Sequence, residues 1–66
     1  MIITLNGERR EVPEGSSVAE VVAGLGLRPQ YVAVERNREI APKSLWSQTV
    51  LVEGDQLEIV QFVGGG

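Results

Sequence analysis

A chain of 66 residues that contains neither cysteine nor histidine has few ways to hold a fold together. Domains this short bury only about 60% of the surface their unfolded chains expose, and many recruit disulfides or a structural metal to compensate. Both routes are closed here, because a disulfide needs cysteine and the usual zinc site needs cysteine or histidine. One compact aliphatic core in a single domain remains, and a hydrophobic fraction of 42% can supply it. The same absences restrict chemistry. Without a thiolate, an imidazole base or a Ser-His pair, the chain is expected to enter a reaction as substrate or carrier, not as enzyme.

The net charge of −3 is built from both signs scattered along the chain, which leaves no basic stripe for nucleic acid. Met1 leads straight into the apolar run Ile2-Ile3-Thr4-Leu5, far too short for a signal sequence and without a basic start. No stretch is long enough to cross a bilayer. A cytoplasmic protein with no membrane partner is expected.

Residues 2–6 read as a strand rich in β-branched side chains, with Ile3 and Leu5 on one face. Asn6-Gly7 is a two-residue hairpin signal, and the chain returns through 8–12 with Val12 joining the same face. Ser17 and Glu20 fit a capping box, followed by the helical stripe Val18, Val21, Val22 and Leu25. Gly26 is placed to end that helix in the left-handed region, with Leu27 folding back. A second strand region covers 31–36, with Val32 and Val34 on one face, and Asn37-Arg38-Glu39 is expected to turn. Ile40 is expected as an apolar anchor, 43–46 as one helical turn, 49–52 as a brief strand and 57–63 as the last long strand after a turn at Glu53-Gly54-Asp55. The order β-β-α-β-(β)-β suits a mixed sheet with one helix across one face.

The last strand runs into Gly64-Gly65-Gly66. Residues without side chains make a thin, conformationally permissive end that can enter a narrow channel in a partner and bring its carboxylate to a reacting centre. Glycine-rich ends are also common as inert or artificial tails, and the tail by itself does not decide between these readings.

Taken with the rest of the chain, the tail points further. The Asn6-Gly7 hairpin, the Gly15-Ser16-Ser17-Val18 helix start, Val32-Ala33-Val34-Glu35 before Asn37, Ile40-Ala41-Pro42-Lys43 leading to Trp46, the Glu53-Gly54-Asp55 turn and the Gly65-Gly66 end together resemble the ThiS-type sulfur carriers of thiamin biosynthesis. These belong to the ubiquitin-like β-grasp group that also holds the MoaD carriers. The resemblance implies an α+β fold, with a mixed sheet of four to five strands, one main helix on one face, and the first and last strands parallel at its centre. It implies a β-grasp domain over 1–63 and a flexible glycine tail over 64–66.

The resemblance also implies the chemistry. A ThiF-type adenylating enzyme would use ATP and magnesium to convert the Gly66 carboxylate to an acyl-adenylate, since a carboxylate is a poor electrophile and AMP a good leaving group. Sulfur from a donor such as a cysteine desulfurase would then give a thiocarboxylate, which a ThiG-type thiazole synthase would use to build the thiazole ring. ATP and magnesium would belong to the partner, and no cofactor is expected on this chain. Two departures from the family pattern stand out: Gly64 adds a third glycine, and Arg36 stands where relatives more often carry an apolar residue, in register with Val32 and Val34. Arg36 is expected to snorkel at the strand end.

A carrier also needs a docking face. Alternation turns Leu57 and Ile59 inward and Glu58, Val60 and Phe62 outward, while Ala33 and Glu35 point outward from the neighbouring strand. These five are the candidate partner-binding residues. Phe62, the only phenylalanine, is read as a partner contact, against the alternative that it folds over the core edge. Trp46 is read as a cap on the core in preference to an interface anchor, Arg9-Arg10 as a solvated hairpin face, and Glu53 and Asp55 as turn acids with too few oxygens for calcium. Competing functions are a related carrier for molybdopterin, cysteine or tRNA thiolation, a modifier forming isopeptide bonds through Gly66, and an interaction module with an inert tail.

Overall fold

The computed structural model describes residues 1–62. Strands Ile2–Leu5 (β1) and Glu8–Glu11 (β2) form an antiparallel hairpin. Its turn residues Asn6 and Gly7 have φ of 51° and 83°, the left-handed pair that a two-residue hairpin requires. The helix Val18–Gly24 (α1) opens on the expected capping box. Ser17 Oγ accepts the Glu20 N–H at 3.1 Å, and Glu20 Oε1 accepts the Ser17 N–H at 2.9 Å, so the two satisfy each other's orphan groups. At the far end Gly26, at φ 74°, lets its own N–H reach Ala23 O and the Leu27 N–H reach Val22 O. This double closure satisfies carbonyls that α1 leaves open.

After a 3₁₀ turn at Pro29–Tyr31 come Val32–Arg36 (β3) and Glu39–Ile40 (β4), then a 3₁₀ segment Lys43–Gln48 and the last strand Gln56–Gln61 (β5). The five-stranded sheet has the order β2-β1-β5-β3-β4. β5 lies in the middle, parallel to β1 and antiparallel to β3. This is the ubiquitin-like β-grasp arrangement, with the first and last strands side by side at the centre.

The core lies between one sheet face and α1. Ile3, Leu5, Val32, Val34 and Leu57 come from the sheet, Val18, Val21 and Val22 from the helix, and Leu51, Ala41 and Trp46 from the connections. Trp46 caps this core as expected, with its indole N–H donating to Ala41 O at 2.8 Å. A buried tryptophan is tolerated when its one polar atom finds such a partner.

Several details differ from the sequence reading. Segment 49–52 is not a strand; it makes one isolated bridge, Ser17 to Val50. Its backbone is spent on the start of α1, with Val18 N–H donating to Thr49 O and Leu51 N–H to Ser16 O, so its β propensity finds no sheet edge. The fifth strand is Glu39–Ile40 instead. Ile40 is not a core anchor: it lies opposite Glu35 on the open face and is 69% exposed, while Ala41 is buried in its place. Tyr31 belongs to the 3₁₀ turn and not to a strand. The last strand ends at Gln61, although the Phe62 N–H still donates to Tyr31 O at 2.9 Å. Val63, expected in that strand, and Gly64, Gly65 and Gly66 lie outside the described residues.

Candidate functional site

The sheet has one face covered by α1 and one left open, and side chains along β5 alternate between them. Leu57 is buried and Ile59 packs against the core, which turns Glu58 and Val60 to the open side. The antiparallel register then sets Ala33 directly opposite Val60 and Glu35 directly opposite Glu58. Four of the five candidate docking residues are thus two cross-strand pairs, neighbours on the open face and separated by the inward-facing Val34–Ile59 rung. Phe62 follows just beyond β5, 39% exposed and outside the core cluster. The β3–β4 hairpin adds Ile40 opposite Glu35, a member of this face that the sequence reading sent to the core. The result is a surface with exposed apolar groups at Val60, Phe62 and Ile40 around the Glu35–Glu58 pair.

Two carboxylates set directly across a ladder repel, at a cost on the order of 0.2–1 kcal/mol. Neither of the ion pairs among the described residues relieves it, since these join the Met1 amino group to Glu14 and Arg36 to Asp55. No ion pair among the described residues joins these two carboxylates to a cation, although Arg38 lines the same concavity, and they stand beside exposed apolar area that a partner surface with basic and apolar groups would complement.

The open face is fixed by what holds β5. Asn6 and Asn37, the first residues of the two hairpin turns, both reach it. Asn6 N–H donates to Leu57 O at 2.9 Å, and Asn37 N–H donates to Gln56 O at 2.7 Å. Asn37 Oδ1 accepts the Gln56 N–H at 3.0 Å, and Asn37 Nδ2 donates to Asp55 Oδ1 at 3.0 Å. Asp55 is only 4% exposed. Its Oδ2 accepts from Val52 N–H at 2.9 Å and from Arg36 Nε at 3.0 Å. Burial pushes its carboxyl up, but the bonds from Asn37, Val52 and Arg36 and the guanidinium charge outweigh burial and hold it below the ordinary value of 3.8. Arg36, expected only to snorkel, is the charged partner of this buried acid. The sequence reading took Asp55 for a turn acid and missed the cluster; the one available signal was an arginine placed in register with core valines.

Among the described residues no group of three or more histidine, cysteine, aspartate or glutamate side chains is placed to hold a metal ion. No helix among them is long and apolar enough to cross a membrane. The tail glycines Gly64, Gly65 and Gly66 follow directly on Phe62 and Val63 in sequence but lie outside the described residues.

Fold and open face together define a small ubiquitin-like β-grasp domain whose last strand leads to a glycine end. A model of the ThiS family matches residues 3–66, up to the final glycine. The chain belongs to the ThiS family. It is similar to the sulfur carrier protein ThiS of Bacillus subtilis, 35% identical over 98% of this chain and all of that one. It is also similar to a thiazole synthase of Paramagnetospirillum magneticum, 46% identical over the whole of this chain, which spans about a fifth (20%) of that protein's length. The crystal structure of the thiamine biosynthesis protein (ThiS) from Geobacter metallireducens superposes with a TM-score of 0.85, at 33% identity and with both chains fully covered.

Proposed function

We propose that this chain is a sulfur carrier of thiamine biosynthesis that works through its Gly66 carboxylate. The observation that carries the reading is the family match, which runs without a break from β1 to the last glycine. In this reading a ThiF-type enzyme, with its own ATP and magnesium, adenylates Gly66. Sulfur from a donor such as a cysteine desulfurase displaces AMP and leaves a thiocarboxylate. A ThiG-type thiazole synthase then takes the sulfur, and the likeness to a thiazole synthase supports that choice of acceptor. The chain is a co-substrate in the cytoplasm, not an enzyme, and neither nucleic acid nor membrane enters the reading.

The division of labour follows from the residues. The carrier supplies an unhindered acyl end on Gly64-Gly65-Gly66 and a docking face at Phe62, Val60, Glu58, Ala33 and Glu35. The partners supply the leaving group, the metal and the sulfur. The experiment is intact-mass measurement after incubation with ATP, the adenylating enzyme and a sulfur source. The expected result is exchange of one oxygen for sulfur, confined to the C-terminal peptide. An unchanged mass beside an adenylating enzyme shown to be active on another carrier would overturn the proposal.

A further inference from the structure

The β1–β2 and β3–β4 hairpins close in the same way. Asn6-Gly7 and Asn37-Arg38 are both two-residue turns, with φ of 51° and 83° in the first and 52° and 71° in the second. Both positions of such a turn lie in the left-handed region, which is why Asn-Gly is the favoured pair. A Cβ is disfavoured there, and asparagine escapes part of the penalty where arginine does not. The chain carries the unstrained solution at position 7 and departs from it at position 38. The ion pairs of the described residues do not offset that strain, since they join Met1 to Glu14 and Arg36 to Asp55 and leave Arg38 out. Strained residues of this kind collect where a protein contacts something else.

The location of Arg38 says what that contact is. It is exposed and lines an open concavity of about 360 Å³ together with Gly7, Gln56, Glu35 and Glu58. The Asn37 N–H donates to Gln56 O at 2.7 Å, so this turn sits where β5 begins. Val60 lies four positions further along, about 13 Å at strand rise. The open face is therefore ordered along β5: a cation at Arg38, carboxylates at Glu35 and Glu58, then the exposed Val60. A face of one sign accepts a complementary surface lying in either direction. An ordered face accepts it in one, because the reversed surface sets like charges together.

We propose that Arg38 is a specificity-determining residue for the adenylating partner: its guanidinium receives a carboxylate of that enzyme, and the pairing fixes which way the enzyme lies along β5. The complementary surface presents an acid opposite Arg38, a base opposite Glu35 and Glu58, and an apolar patch opposite Val60, in that order. Strain at position 38 lowers the stability of the free carrier and is kept because glycine there would remove the contact. The proposal deepens the reading of the chain as a carrier loaded by such an enzyme and rests on it.

The test compares the full chain with Arg38→Gly and Arg38→Lys, using thermal melts of each carrier alone and the rate of thiocarboxylate formation against carrier concentration. Arg38→Gly removes strain and charge together. It is expected to raise Tm by roughly 4 °C, to raise KM for the carrier about tenfold and to leave kcat unchanged, with the KM gap narrowing at high ionic strength. Arg38→Lys keeps both strain and charge, so its Tm should match that of the parent and its KM should stay within about threefold, the loss reflecting the missing planar fork. Equal KM for Arg38→Gly and the parent would overturn the assignment. So would a fall in Tm for Arg38→Gly, which would make Arg38 an internal counter-charge to Glu35 and Glu58. Absence of loading in all three proteins, by an enzyme active on another carrier, would overturn the carrier reading and this assignment with it, an outcome distinct from the other two.

Discussion

The side-chain amide of Asn6 bonds both backbone polar groups of Ile59, Oδ1 accepting its N–H at 2.8 Å and Nδ2 donating to its carbonyl at 3.2 Å. β1 leaves the sheet at this residue to make its turn, and the amide continues the parallel ladder for one more rung. Asn6→Gly keeps the left-handed backbone and removes the rung. At a net 0.5–1.5 kcal/mol per bond, losing the two should cost about 1–3 kcal/mol and lower Tm by roughly 4–8 °C for each kcal/mol. Asn6→Ala should be worse by roughly 1 kcal/mol, since φ is 51° there. Hydrogen exchange at the Ile59 amide should speed up in both. Unchanged protection in Asn6→Gly would show that the rung carries no weight.

Asp55 should make the domain acid-sensitive. Its carboxyl is held below the ordinary value of 3.8, so the native state binds fewer protons than the unfolded one as pH falls. The stabilisation is fully present above 3.8 and is lost as pH drops through the lower native value. Asp55→Asn should cost about 2–4 kcal/mol at neutral pH, because it breaks a charge-assisted pair with Arg36 inside the cluster. It should also flatten the dependence of stability on pH below 3.8. Urea denaturation of both proteins across that range measures this, and parallel curves would exclude Asp55 as the source.

Removing one of the facing carboxylates should separate stability from docking. Glu35→Gln or Glu58→Gln relieves a cross-strand repulsion and should raise stability by roughly 0.2–1 kcal/mol. If the open face meets a basic partner surface, the same change should weaken binding to the adenylating enzyme, mainly through a slower and less salt-sensitive association rate. Stopped-flow binding at two ionic strengths tests it, and equal association rates for both proteins would remove charge from the docking account.

The apolar members should act differently. Val60 and Phe62 are 60% and 39% exposed, so truncation to alanine should change stability by about 0.5 kcal/mol or less. If they anchor a partner, each truncation should weaken that complex by about 1–2 kcal/mol or more. Calorimetric titration against the adenylating enzyme, paired with thermal melts, distinguishes this from Phe62 folding over the core edge, where stability would fall and affinity would hold.

What the sequence made legible was what local chemistry governs. Asn6-Gly7, the Ser17–Glu20 box and the Gly26 stop each act within a few residues, and each is found as read. Alternation along β5 was enough to turn Glu58 and Val60 outward. The Asn37-Arg38 turn was read one residue too long because arginine at φ 71° gives no turn signature, and Ile40 was taken for an apolar anchor although it lies exposed opposite Glu35. The β-branched run at 49–52 was misread because propensity cannot show that its backbone is already committed to α1. Asp55 was missed as an organiser because Asn37 and Arg36 lie 18 and 19 residues away, a distance only register closes.

The placement of β5 has a mechanical consequence. It runs parallel to β1, bonded through Thr4 N–H to Asp55 O and Asn6 N–H to Leu57 O, with β3 on its other side. Force drawn through the glycine end against β1 would shear these bonds simultaneously, with no unzipping in sequence. An ATP-driven unfoldase gripping that end would meet its greatest resistance at the first pull, so the glycine end is a poor place from which to dismantle the protein.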